Sequence, residues 1–326
     1  MKLLITTPSL QVPHGGTRIL NEWAVNLAKH HEVTLLVQNG PAACDWYDFP
    51  ETVRVTRSKA EILTSDCVII GSPHSIDLTR AVNPKRQKCF VFMQMLEHMF
   101  NGNRQFQSMC KQFYLSKFPM FHISRWNEEY VRKLGRRGAM HYIGNGVNLE
   151  HFPVSHKKKD GKTVLVEGWE CINGAKDIDY IAPQVAARLK ADGYSIVAYS
   201  QRPLEHYTDI PDEYYQRPTL KQMNLLYERA TILLKASRYD ARSTTPMEAM
   251  TKGTVTARAI IEGDDGLVHN QNCLRCPYDA DEFYVIAKEL LTRKLLHKKL
   301  AANCLDYVQK YNWNYWMSQI LKIIES

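Results

Sequence analysis

Lys2-Leu3-Leu4-Ile5-Thr6-Thr7, then Pro13-His14-Gly15-Gly16, then Thr17 to Lys29, then Val33-Thr34-Leu35-Leu36-Val37: these first forty residues decide the fold class. The opening run is short and apolar and carries β-branched residues, as a strand does. A glycine turn follows. Leu20, Trp23, Ala24 and Leu27 then recur at helical spacing, so Thr17 to Lys29 reads as a helix with one apolar face. Val33 to Val37 is the next strand. Strand, glycine turn, helix, strand is the start of a βαβ unit, and such units build parallel sheets.

The same grammar continues outward. Cys67 to Ile70, Phe90 to Met93, Phe121 to Ser124 and Met140 to Ile143 read as strands, with a helix at Asn127 to Leu134. After Gly144-Asn145-Gly146 the text changes. Val154 to Lys162 carries four lysines and no apolar period, and it reads as a linker. A second series then runs as strand Thr163 to Val166, helix Tyr180 to Ala191, strand Ser195 to Tyr199, helix Leu220 to Ala230, strand Thr231 to Lys235, a helix starting at Pro246, and strand Thr254 to Arg258. Helices around Asp281 to Leu291, His297 to Tyr311 and Trp313 to Glu325 close the chain. The expected architecture is α/β, with two Rossmann-like, doubly wound domains whose strand ends face a central cleft. The expected domains are 1–153 and 154–310, with 311–326 a helix packing back on the first.

Composition bounds the function. The 326 residues are 44% hydrophobic and 23% charged, which excludes a disordered, collagenous or coiled-coil chain. No apolar run approaches the ~18 residues of a membrane span. The apolar stretch at Leu3 to Ile5 ends too early for a signal peptide. Eight cysteines are scattered, and only Cys273 and Cys276 are close. A lone pair of that kind is no zinc framework, and reduced thiols in a cytoplasmic protein are expected. Six of the eight net positive charges fall in residues 1–155, which points to an anionic partner for the first domain.

The segment richest in chemistry is Ala236-Ser237-Arg238-Tyr239-Asp240-Ala241-Arg242-Ser243-Thr244-Thr245-Pro246-Met247-Glu248-Ala249-Met250. It leaves a buried strand and enters a helix. Asp240 and Glu248 stand eight positions apart, either side of a small, hydroxyl-rich turn. Free N–H groups in such a turn suit a phosphate, and the carboxylates can accept hydrogen bonds from sugar hydroxyls.

This segment resembles the E-x7-E signature of retaining, family-four glycosyltransferases with the GT-B fold (the glycosyltransferase group 1 type), which reads roughly E-G-F-G-x-x-x-x-E-A-M-A-x-G. Asp240 stands for the first Glu, Glu248-Ala249-Met250 matches, and Gly253 matches the glycine. Leu226-Tyr227-Glu228-Arg229-Ala230 is similar to the family's helix end before that strand. His141 to Phe152 resembles its "viNGVDxxxF" element. His31-Glu32-Val33 and Tyr311-Asn312-Trp313 resemble two shorter ones. The order and spacing of these elements span nearly the whole chain.

The resemblance implies transfer of a sugar from a nucleotide diphosphate to an acceptor hydroxyl, with retained anomeric configuration, no metal and no other cofactor. The co-substrate expected is a UDP-sugar. By position, Glu248 meets the ribose hydroxyls and Asp240 the donor sugar. Ser243, Thr244 and Thr245 lie where the family's backbone amides touch the diphosphate or sugar. Lys176 matches a diphosphate-binding lysine, and Gly16 lies where the first domain approaches the phosphate. The family's arginine falls at Glu170, so either the register of this element differs or another cation substitutes, with Arg242 and Arg202 as candidates. His74 is placed as a catalytic or acceptor contact, alongside Lys176 and Asp240 as catalytic residues. Gln94, Glu97 and His98 resemble the "Q-d-x-E" element of some glycan-synthesising members and are expected to read acceptor or donor hydroxyls, with the acceptor taken first. Asp177-Ile178-Asp179 has the letters of a metal motif but reads as a helix cap.

Two anionic acceptors fit. One is a glycan or lipid-linked glycan, with Lys111, Phe113, Tyr114, Leu115, Lys117, Phe118 and Phe121 forming an interfacial patch for peripheral contact at the inner membrane face. The other is a hydroxymethylated base in DNA, as in an infected host cell, with Arg132, Lys133, Arg136, Arg137, Lys85, Arg86 and Lys88 following the phosphates. From another class, the chain reads as a nucleotide-sugar-binding subunit without turnover. A hydride-transferring enzyme lacks its fingerprint, because Gly15-Gly16 is not G-x-G-x-x-G.

Overall fold

The computed structural model describes residues 1–11, 15–169 and 180–326. The chain divides into two compact units, Met1–Asn145 with Trp313–Ser326, and Gly146–Asn312.

The first unit is built on a parallel sheet of β1 (Lys2–Thr7), β2 (Glu32–Val37), β3 (Val53–Thr56), β4 (Cys67–Ile70), β5 (Lys88–Met93), β6 (Met120–His122) and β7 (Met140–Tyr142), in the order β3-β2-β1-β4-β5-β6-β7. Ile5 lies beside Leu35 on one flank and Ile69 on the other. Residues 3–7 of β1, all of β4 and residues 89–93 of β5 are buried, because both faces of a parallel sheet are covered. From the helix Gly15–Leu27, Trp23 stacks on Phe92 at 4.3 Å and meets Phe121 edge-on at 5.3 Å. Gly71 ends β4 against β1. Its N–H donates to Thr6 Oγ1 at 2.9 Å, and a Cβ there would stand 2.3 Å from the Thr6 carbonyl oxygen, so only glycine permits the approach. The helix Trp313–Glu325 belongs to this unit. Lys88 Nζ donates to the Ile324 carbonyl at 3.0 Å, and Tyr142 meets Trp316 edge-on.

The second unit holds a parallel sheet of β8 (Thr163–Glu167), β9 (Ser195–Ser200), β10 (Glu213–Gln216), β11 (Ile232–Lys235), β12 (Val255–Ala259) and β13 (Cys273–Cys276), in the order β10-β9-β8-β11-β12-β13. Its core gathers Val164, Leu165, Val197, Leu233, Met250, Phe283 and their neighbours. A Thr219–Gln222 capping box starts the helix Leu220–Arg229.

Several expectations shift. The stretch read as a linker, Val154 to Lys162, is anchored on the second unit. Ser155 N donates to the Thr251 carbonyl at 2.9 Å, Lys157 pairs with Glu228 at 2.7 Å, and Lys159 Nζ donates to the Tyr227 carbonyl at 2.8 Å. The division instead falls within Gly144-Asn145-Gly146. The helix expected from Pro246 begins at Thr244 and ends at Met250. β3, β10 and β13 are additional strands, each at a sheet edge. Cys273 and Cys276 are buried residues of β13, both free thiols. Among the described residues, no helix is long and apolar enough to cross a membrane.

Candidate active site

In open α/β sheets, ligands bind at the carboxyl ends of strands where the strand order reverses. In the second sheet that point lies between β8 and β11. Charged residues occupy it. Glu167 ends β8 and Lys235 ends β11, and Arg258 lies in register with Lys235 on β12. Lys235 Nζ is 2.5 Å from Glu167 Oε2 and 3.3 Å from Asp240 Oδ2. Arg258 Nη2 is 3.7 Å from the same Asp240 oxygen, and Arg258 is ion-paired to Asp264. The Lys235 and Arg258 side chains are 1% and 0% exposed. Burial raises the Asp264 carboxyl above the usual range, against the pull of Arg258.

Glu248 is buried on the helix Thr244–Met250. Its Oε2 accepts a 3.1 Å hydrogen bond from the Tyr227 hydroxyl. Thr245 Oγ1 donates to Glu167 Oε1 at 3.0 Å, which joins this helix to the charged row. Burial holds the Tyr227 and Tyr199 hydroxyls far above their ordinary pKa, so both remain protonated donors. Ser243 takes the position before the helix, in extended backbone, without a side-chain capping bond. Arg242 is buried, and its Nη2 donates to the Tyr307 hydroxyl at 2.6 Å. Thus Asp240, Arg242, Ser243, Thr244, Thr245 and Glu248 lie on one segment beside the strand ends. Lys176, Glu170, Asp177 and Asp179 lie outside the described residues.

In the first unit, Gln94 follows β5 and its Nε2 donates to the Gly16 carbonyl at 3.0 Å. A Cβ on Gly16 would stand 3.3 Å from Gln94 Oε1, so Gln94 is the close neighbour that the glycine accommodates. Glu97 and His98 open the 3-10 turn Glu97–Phe100. The Tyr114 hydroxyl is 3.1 Å from Glu97 Oε2 and 3.2 Å from His98 Nδ1, and the Tyr130 hydroxyl is 2.9 Å from His98 Nε2. Burial pushes the Glu97 carboxyl up to about 7, and it lowers the pKa of His98. His74 is exposed on the 3-10 stretch Pro73–Ala81, with its ring 4.8 Å from Phe106.

The aromatic surface patch read from the sequence is corrected, and the basic one loses a member. Residues 104–114 form a helix, and Phe113, Tyr114 and Phe121 are core rather than surface. Arg136 is also internal. Its guanidinium donates to the carbonyls of Tyr114 at 3.0 Å, Ser116 at 2.7 Å and Phe118. Lys133 pairs with Glu129, Arg132 bonds the Gly138 carbonyl, and Lys88 holds Ile324. Arg136 therefore leaves the cation run, while Lys85, Arg86, Lys88, Arg132, Lys133 and Arg137 are exposed.

Sequence reasoning missed Glu167, Lys235, Arg258 and Asp264. A signal existed: three strands that are otherwise apolar or small each carry a charge at or next to their carboxyl end.

No family model matches the chain, and no curated protein matches it. Solved structures do. A sucrose-phosphate synthase from Thermosynechococcus elongatus superimposes with a TM-score of 0.77 at 13% identity, over 99% of this chain and 98% of that one. Anabaena HepE in complex with UDP-glucose gives 0.74 at 12% identity, over 100% and 99%. WaaG, a glycosyltransferase involved in lipopolysaccharide biosynthesis, gives 0.70 at 12% identity, over 99% of each. The chain has the GT-B fold of these proteins, two Rossmann-like domains on parallel sheets.

Proposed function

We propose that the chain is a retaining glycosyltransferase of the family-four type that takes a UDP-sugar as donor. The observation that carries this reading is the placement of Glu248 and Asp240. Asp240 lies against Lys235 and Arg258 at the carboxyl ends of β11 and β12, where a doubly wound sheet takes its ligand, and Glu248 lies on the helix that Thr245 joins to Glu167. The fold shared with HepE, solved in complex with UDP-glucose, supports the donor class.

In this reading Glu248 accepts hydrogen bonds from the ribose hydroxyls, and Asp240 accepts them from the donor sugar. The backbone of Ser243, Thr244 and Thr245 is assigned to the diphosphate or the sugar, and Lys176 and Arg242 are assigned to the diphosphate charge. The C1–O bond to the diphosphate breaks with its electron pair leaving on UDP. The acceptor oxygen bonds C1 on the same face, and its proton passes to the departing diphosphate. Rate comes from positioning and from stabilising the leaving charge, and no metal is assigned a role.

His74, Gln94, Glu97 and His98 are assigned to the acceptor. Glu97 and His98 have the hydrogen-bonding chemistry to read hydroxyls. A glycan or lipid-linked glycan is the acceptor taken first, and hydroxymethylated DNA stays the alternative, with Lys85, Arg86, Lys88, Arg132, Lys133 and Arg137 exposed. Such work places the protein in the cytoplasm, at the inner face of a membrane.

The test is UDP release from purified protein supplied with UDP-sugars, alone, with lipid-linked glycan, and with hydroxymethylated DNA. Release stimulated by the glycan supports the whole reading. Stimulation by DNA keeps the enzyme and overturns the acceptor. UDP binding without release would identify a binding subunit, and no UDP binding would sink the proposal.

A further inference from the structure

We propose that Lys235 is a positioning residue, which aims the Asp240 carboxylate at the donor sugar. This deepens the glycosyltransferase reading and rests on it. β11 reads Ile232-Leu233-Leu234-Lys235, and all four residues are buried. An apolar residue would be the ordinary choice at the end of such a strand. A buried ammonium must instead be compensated, because a charge taken out of water loses its hydration. Glu167 alone supplies an opposite charge, at 2.5 Å. Yet a second carboxylate, Asp240, is brought to 3.3 Å from the same nitrogen.

The geometry suits a steering role. An ammonium has three donors, so Lys235 can serve two carboxylates at once. Glu167 is itself held by Thr245 at 3.0 Å, from the helix that carries Glu248. Lys235 therefore ties Asp240 to the element carrying the other carboxylate of the site. Arg258 lies farther from Asp240, at 3.7 Å, and its guanidinium is engaged by Asp264. Lys235 is thus the nearer cation. Asp240 is one methylene shorter than glutamate, so the direction of its oxygens depends on few torsions, and one fixed cation can set it.

The experiment is a mutant cycle on steady-state transfer, with UDP affinity measured separately by calorimetry. The variants are Lys235→Met, Lys235→Arg, Asp240→Asn and Lys235→Met with Asp240→Asn. Lys235→Met should lower kcat by about tenfold or more while UDP affinity changes by less than about threefold. Lys235→Arg should recover part of the loss. In the Asp240→Asn background, Lys235→Met should cost less than about twofold more, because the two act as one unit. Equal losses in both backgrounds, or parallel losses of UDP affinity and kcat, would make Lys235 merely structural and overturn the proposal. Should Lys235→Met fail to fold, Glu167→Gln takes its place in the same cycle with the same criteria. The two readings fail differently. A wild type without UDP binding or turnover removes the glycosyltransferase reading and this one with it, whereas an active wild type with an additive cycle removes only this one.

Discussion

The Tyr227 hydroxyl lies 3.1 Å from Oε2 of Glu248, and both residues are buried. Tyr227 comes from the helix before β11, and Glu248 from the helix after it. The bond therefore fixes a carboxylate across the strand end that carries the charged row. Replacing Tyr227 by Phe keeps the ring against Phe152 and removes only the donor. The expected result is a loss of roughly 1 kcal/mol in UDP affinity, the scale of one hydrogen bond. Calorimetric titration with UDP measures it, and an unchanged affinity would detach Tyr227 from the site.

Glu248→Ala should cost more, about 1–3 kcal/mol in UDP affinity, because an ionised acceptor is lost. Adding Tyr227→Phe to Glu248→Ala should then have little further effect, since the tyrosine acts through the carboxylate. Unaltered UDP binding in Glu248→Ala would remove Glu248 from the donor site.

Glu97 predicts a pH dependence. Its carboxyl is raised to about 7 by burial, above its ordinary 4.5. Between those two values the folded state holds a proton that the unfolded chain has released. The proton is taken up on folding, so stability falls as pH rises through this window and levels off above about 7. Urea unfolding at pH 5, 6, 7 and 8 should show the decline in wild type and a flatter profile in Glu97→Gln. Parallel profiles would rule out Glu97 as the source.

Arg136→Met should destabilise the first unit by roughly 3–5 kcal/mol. It leaves the carbonyls of Tyr114, Ser116 and Phe118 without the guanidinium that serves them. The same change should leave the UDP affinity of folded protein within error. A neutral effect on unfolding would show that water replaces the guanidinium without cost.

The fold was legible wherever a strand is buried on both faces. Cys67–Ile70 is an unbroken apolar run and its limits match the reading, whereas β3, β10 and β13 escaped it. Glu213–Gln216 is only partly buried and reads Glu-Tyr-Tyr-Gln, so an edge strand with little to hide left no apolar run to find. Of the candidate site, Asp240 and Glu248 were legible because their spacing lies along one segment. Lys235 was not. It gains meaning from Glu167, which is 68 positions away and becomes adjacent only once β8 and β11 pair. The aromatic run near Phe113 misled for a related reason. Cys110, Phe113 and Tyr114 recur at helical spacing and turn inward, while Lys111 and Lys117 stay outside.

The helix Trp313–Glu325 completes the first unit only after all of Gly146–Asn312 has been made. During synthesis at ~5–20 residues per second, the amino-terminal sheet waits roughly 10–30 s for its last helix. Until then, the surface that Trp316, Met317, Ile320 and Ile324 will cover stays bare. The second unit has all its own residues by that time. The order in which the halves mature is therefore the reverse of the order in which they begin, and the nascent chain is most exposed to chaperones on its oldest part.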